Sequence, residues 1–236
     1  MLYPYQTLPD DWDDFLFEQV SEQQPPALQA FYQQPWVEPD LLVGDAEFVA
    51  VDIETTGLNA EQDDIISIGL VPFTAQRITL AKARHWLVRT RNLTSESVVV
   101  HRITHSDIAQ APPLRAVLSE VIPCLQGRQV VVHYRYMERE FFRQSVAGLH
   151  ESTWLFPVID TLELEAAHLR QKQSIVSRLF KQTLPSLRLP NVRERYNLPA
   201  YENHNALTDA LATAELLQAQ VAKQNLVDKP VRSLWY

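Results

Sequence analysis

Phe48-Val49-Ala50-Val51-Asp52-Ile53-Glu54-Thr55-Thr56-Gly57-Leu58 is the stretch on which the fold of this chain depends. Phe48, Val49, Val51 and Ile53 are aromatic or β-branched, as a central strand prefers. Asp52 and Glu54 stand two residues apart, so a strand directs both carboxylates to one face. Like charges held together at the end of an apolar strand repel unless a cation lies between them. A surface strand end with two solvated acids is the plainer alternative. The run before them is too apolar for an exposed edge, which favours a cation site.

Downstream, Ile65–Val71 and Ala83–Arg89 read as two more strands, giving a meander. Val98-Val99-Val100-His101-Arg102-Ile103-Thr104 leads into a loop at Pro112 and Pro113, then a helix over Leu114–Leu125 closed by Gly127. Val130–His133 and Pro157–Asp160 are short buried strands, followed by helices over Tyr136–Leu149 and Thr161–Gln171. The last helix runs from Asn205, a suitable N-cap, to Lys223, with Leu207, Leu211, Ala214, Leu217 and Val221 at helical spacing. Strands first, then strands alternating with helices, give an α/β fold with a mixed sheet flanked by helices.

Upstream, residues 1–45 read as an extension to a domain over 46–225, with 226–236 as a short tail. Asp10–Gln23 suits an amphipathic helix carrying Trp12, Phe15, Leu16 and Val20; Pro25 and Pro26 break it, and Ala27–Gln34 resumes a turn or two. Its aromatic side chains favour docking, either on its own domain or on a protein partner.

The composition, 46% hydrophobic and 21% charged, is that of a globular protein. No apolar run approaches the roughly 20 residues of a membrane helix, so no membrane partner is expected. The acidic N-terminus resembles neither a secretory signal nor a transit peptide. Cys124 is the single cysteine, which excludes an internal disulfide and a cysteine-built zinc site and points to the cytoplasm. The net charge of −8 is unevenly spread: residues 1–64 hold 15 Asp and Glu and no Lys or Arg, leaving the remainder at +7. Arg170, Lys172, Arg178, Lys181, Arg188, Arg193 and Arg195 crowd one stretch against Glu194 alone, either as a solvated face or as contacts to phosphates.

Two later segments place acids beside histidines: His133-x4-Glu138 and His204-x4-Asp209. Singly each is weak, since a lone His near a helix start is more often a cap. Together with Asp52 and Glu54 they supply four carboxylates on three elements, a donor set for hard cations such as Mg²⁺ or Mn²⁺. Paired ions can activate a water and stabilise the departing oxygen of a phosphodiester. Imidazole titrates near neutrality and can take the water's proton.

Asp52-Ile53-Glu54-Thr55-Thr56-Gly57-Leu58 resembles the first motif of the DEDDh 3′–5′ exonucleases, especially those like the proofreading epsilon subunit of bacterial replicative polymerase. The resemblance extends over about residues 46–222, through Val100–Thr104, Ile159–Leu162 and His204-Asn205-Ala206-Leu207-Thr208-Asp209-Ala210. It implies a ribonuclease H-like fold with a five-stranded mixed sheet, and two divalent cations, Mg²⁺ or Mn²⁺. Asp52 would bridge both ions, Glu54 and Asp209 would complete one of them, and His204 would be the general base. Thr55, Thr56, Gly57 and Leu58 would receive the 3′-terminal nucleotide, with His101 lining that pocket.

The expected activity is hydrolysis from the 3′ ends of single-stranded nucleic acid, DNA favoured, releasing nucleoside monophosphates. The chain departs from the family at His133-Tyr134-Arg135-Tyr136-Met137-Glu138, where Glu138 stands in place of the usual Asp as the fourth metal ligand. Its extra methylene bears on cation preference, and two alternatives follow. One is an RNA-trimming or oligoribonucleotide-degrading enzyme; the other is a binding module with a weakened site. The short segment after the last helix favours a free-standing exonuclease over a dedicated proofreading subunit.

Overall fold

The computed structural model describes residues 9–21, 25–33, 37–90, 92–93, 103–150, 154–173, 184–202 and 204–236. His101 and most of the segment expected over 98–104 lie outside them. Two short helices, α1 (Trp12–Ser21) and α2 (Pro26–Gln33), precede β1 (Glu47–Thr55) and β2 (Ile65–Thr74). Then come β3 (Arg84–Leu87), α3 (His105–Gln110), α4 (Leu114–Leu125), β4 (Gln129–Val132), α5 (Arg135–His150) and β5 (Val158–Asp160). The chain continues with α6 (Thr161–Lys172), α7 (Leu189–Arg195) and α8 (Ala206–Gln224).

The five strands form one sheet in the order β3-β2-β1-β4-β5. β1 pairs antiparallel with β2 and parallel with β4, and β4 pairs parallel with β5, so the sheet is mixed, as expected. β1 is central and buried on both faces, which explains its nearly unbroken apolar run. Its alternation separates two cores. Val49, Val51 and Ile53 pack with Val117, Val121 and Phe141 on one side. Phe48 and Ala50 pack with Ala210, Ala214, Leu217 and Val221 of α8 on the other. The same period of two sends Asp52 and Glu54 to the α8 face, at the strand end beyond the apolar packing.

Two helices escaped the sequence reading. α3 begins with a capping box: the Thr104 hydroxyl accepts from the Asp107 N–H at 3.3 Å, and the Asp107 carboxylate accepts from the Thr104 N–H at 2.9 Å. α7 lies inside the basic stretch and starts with Pro190 in its first turn, a position where the missing N–H costs nothing. β2 also runs past Val71 through Pro72 to Thr74.

The described part of residues 1–45 packs on the sheet domain. Leu28, Phe31 and Tyr32 of α2 are buried in the core on the α4–α5 face. The Tyr32 hydroxyl donates to the Leu155 carbonyl and accepts from the Leu155 N–H, each at 3.0 Å. Phe31 meets Trp154 and Phe156 edge-on, with ring centroids 5.5 Å apart in both pairs. At the other end Trp235 bridges to Ile159, and the Tyr236 N–H donates to the Val158 carbonyl at 3.0 Å, covering the edge of β5.

Candidate active site

Asp52 and Glu54 of β1 meet Asp209 of α8, with one oxygen from each lying within 4.8 Å of the others. This convergence depends on how closely α8 approaches the sheet. Gly69 on β2 stands opposite Asp52 in the antiparallel register. A Cβ on Gly69 would lie 2.2 Å from the Ala206 carbonyl oxygen, so a side chain there would drive the start of α8 off the sheet. Asn205 caps the helix, its Oδ1 accepting from the Thr208 N–H at 3.1 Å. His204 adopts φ 71°. Its backbone N–H donates to Asp209 Oδ2 at 2.9 Å, which orients the carboxylate. Asp209 Oδ1 is buried with no hydrogen-bond partner among the described residues.

Burial raises the Asp52 pKa well above the ordinary carboxylate value, and the neighbouring charges of Glu138, Glu54 and Asp209 raise it further. Asp209 is raised chiefly by burial, against the opposing His204 N–H. Glu138 too is pushed well up, first by burial and then by Asp160 and Glu54, against a hydrogen bond to its own backbone. Acids that raise one another's pKa values, with a buried oxygen that has no hydrogen-bond partner among the described residues, form a donor set that suits a hard divalent cation.

Glu138 occupies the first turn of α5, nearly fully buried. It is the strongest charged neighbour of Asp52, yet it stands outside the group of three oxygens. Its side chain also borders a small enclosed cavity with Arg139, Trp154 and Phe156, and Glu138 Oε2 has no hydrogen-bond partner among the described residues.

The loop after β1 is held by its own side chains. The Thr55 hydroxyl donates to the Gly57 carbonyl at 2.6 Å, and the Thr56 hydroxyl donates to Asp63 at 3.1 Å. A Cβ on Gly57 would fall 2.5 Å from Asp63 Oδ2. That glycine therefore makes room for the loop's own carboxylate. Leu58 projects from this loop, 74% exposed. Asp64 ties the loop to the segment after β3, accepting from the Thr90 hydroxyl and from Asn92 Nδ2.

A cavity of about 470 Å³ opens over the acids, lined by Asp52, Asp209, His204, His133, Arg188 and Asn191 among others. His204 is exposed at this cavity. His133 is part of the framework: its Nε2 lies 2.9 Å from the Leu187 carbonyl and its Nδ1 2.8 Å from the Thr161 hydroxyl. A carbonyl only accepts, so Nε2 carries a proton. Asp160, fully buried, spends both oxygens on the backbone N–H groups of Tyr134, Arg135 and Leu162 and on the Arg135 guanidinium. It is the joint between β5, α5 and α6. Sequence reasoning missed Gly69, Arg188 as a cavity residue, and His85, whose Nε2 lies 2.7 Å from the Ser67 hydroxyl near Glu54. Only long-range pairing brings these residues to the site.

The exonuclease family matches residues 49–217. A PolC-type DNA polymerase III of Thermotoga maritima is 30% identical over 178 residues, covering 75% of this chain and 12% of that protein. The chain thus spans about one-eighth of that relative's length. The DNA polymerase III epsilon subunit of Treponema pallidum is 26% identical over 181 residues, covering 75% of this chain and 79% of that one. Among solved structures, the nuclease domain of 3′hExo, a DEDDh family member bound to rAMP, superposes with a TM-score of 0.62 at 14% identity. That match covers 76% of this chain and 93% of the 3′hExo domain, and it shows the same fold.

Proposed function

The chain belongs to that exonuclease family, and from this premise we propose that it removes nucleotides from the 3′ ends of single-stranded nucleic acid, DNA in preference to RNA. The observation that carries the reading is the meeting of Asp52, Glu54 and Asp209 within 4.8 Å at the foot of an open cavity. These three would hold two divalent cations, Mg²⁺ or Mn²⁺, with Glu138 as the fourth carboxylate beside Asp52. Cations bound there supply charge stabilisation to a phosphoryl oxygen and acidify water.

The chain's own groups do the rest. His204, exposed at the cavity, accepts a proton through its imidazole. Its backbone N–H holds Asp209 in place at the same time. The loop of Thr55, Thr56, Gly57 and Leu58 is fixed by its internal hydrogen bonds and presents Leu58 as an apolar surface for the terminal base. The preference for DNA is supported by the polymerase names of the relatives. RNA is the second reading, supported by the ribonucleotide bound to 3′hExo.

Matched 5′-labelled DNA and RNA oligomers incubated with Mg²⁺ or Mn²⁺ test both readings. Stepwise shortening of the DNA strand, faster than of RNA and abolished by chelator, is the expected result. Faster shortening of RNA would reverse the preference. Internal cuts, or no shortening of either strand, would defeat the proposal.

A further inference from the structure

Arg178 and Lys181 of the basic stretch lie outside the described residues, and its arginines at 188, 193 and 195 differ in their partners. Arg193 is buried and spent on the fold: it pairs with Glu215 at 2.8 Å and donates to the carbonyls of Ala212 and Pro199. Arg195 pairs with Glu165 at 2.9 Å and donates to the Ser186 carbonyl. Arg188 differs from both. It is exposed, lines the cavity with Asp52, Asp209 and His204, and has no carboxylate partner among the described residues.

Its backbone is nevertheless firmly placed. The preceding Leu187 carbonyl accepts from His133 Nε2 at 2.9 Å, and His133 is itself held by Thr161. The Arg188 N–H reaches the Ser186 hydroxyl at 3.4 Å, and that hydroxyl lies 2.7 Å from Asn191 Oδ1. A fixed backbone carrying a guanidinium with no carboxylate partner among the described residues, beside a cluster of carboxylates, is suited to an anion entering the same cavity. The anion that an acid cluster with cations receives is a phosphodiester, and a guanidinium fork matches two of its oxygens.

We propose that Arg188 grips the reacting phosphodiester of the substrate, and that His133 is the positioning residue that sets it there through Leu187. The inference rests on the exonuclease reading of the same site and names the residue that supplies positive charge from the protein.

The test uses Arg188→Met and Arg188→Lys on two substrates, a single-stranded oligonucleotide and thymidine 5′-(4-nitrophenyl phosphate), which has one phosphodiester. Arg188→Met is expected to lower kcat/KM about 10- to 100-fold on both, with Arg188→Lys recovering part of the loss and the melting temperature unchanged. Unchanged kcat/KM on both substrates would overturn the proposal. So would a loss confined to the oligonucleotide, because that would place Arg188 on a more distant phosphate.

His133→Gln is expected to weaken kcat/KM in the wild-type background and to add little in Arg188→Met. Additive losses would overturn its positioning role. Anisotropy of a labelled oligonucleotide with Ca²⁺ separates this inference from the exonuclease reading. Should the wild-type protein be inert, weaker binding by Arg188→Met would uphold the grip while the enzymatic reading fails; equal binding would overturn the grip.

Discussion

Asp52 is held at the end of a buried strand with three other carboxylates near it, so the cation-free site works against itself. Asp52→Asn removes one repelling charge. It is therefore expected to raise the cation-free melting temperature by several degrees, at about 2–4 °C per kcal/mol for a chain of this size. The same change should lower nucleotide release by about a thousandfold, corresponding to about 4 kcal/mol of lost charge stabilisation. Calorimetry and a product assay on the same sample check both. The pH dependence has a definite sign. Asp52 and Glu138 bind protons more tightly folded than unfolded, so their contribution to stability is complete below the unfolded carboxylate range, about pH 4. It is lost as pH rises through the raised folded values. Cations compete with those protons, and Mg²⁺ or Mn²⁺ should raise the melting temperature more at pH 8 than at pH 5. Glu138→Gln removes a like charge beside Asp52 and a proposed cation ligand together, so the cation-induced rise in melting temperature at pH 8 should shrink. A rise as large as that of the wild type would show that Glu138 does not help to hold the cations.

At the scale of elements, the site depends on where α8 crosses β2. Gly69→Ala puts a methyl group against the Ala206 carbonyl. The expected cost is about 1–3 kcal/mol in denaturant unfolding, accompanied by weaker cation binding as Asp209 moves away from Asp52. Loss of stability with cation affinity intact would show that the helix start yields without disturbing the acids. β1, β2 and β4 were legible in the sequence because they are apolar on both faces and bounded by turns. The helices containing Val117 and Leu217 were legible from their spacing. The segment leading into α3 carried its signal in Thr104 and Asp107, two polar positions that a reading by hydrophobic run passes over. α7 was obscured by its charges, since Arg193 and Arg195 read as surface residues until Glu215 and Glu165 come across from other helices. The meeting of Asp52, Glu54 and Asp209 was readable from residue type and element ends. The close approach at Gly69 was not, and Arg188 could be read only as one of seven basic residues facing either solvent or phosphates, because its place at the cavity arises from contacts between segments far apart in the chain.

Across the whole molecule, the two helices of the acidic N-terminal stretch share the core on the α4–α5 face of the sheet. Phe31→Ala should cost about 3–5 kcal/mol in urea unfolding, since it empties a site bounded by Trp154 and Phe156. A cost below about 1 kcal/mol would mean that α2 contributes little to the fold. The sheet, the helix that closes over it and the cavity at their junction bring Asp52, Glu54 and Asp209 to one place. Release of nucleoside monophosphate from a 5′-labelled single strand, measured side by side for wild type and Asp52→Asn with Mn²⁺ and then with excess chelator, addresses that arrangement most directly. Wild type should shorten the strand from its 3′ end one nucleotide at a time, stop on chelation and resume when Mn²⁺ is restored, while Asp52→Asn stays near background. Equal release by the two proteins, or release that persists in chelator, would contradict the acid cluster as the hydrolytic centre.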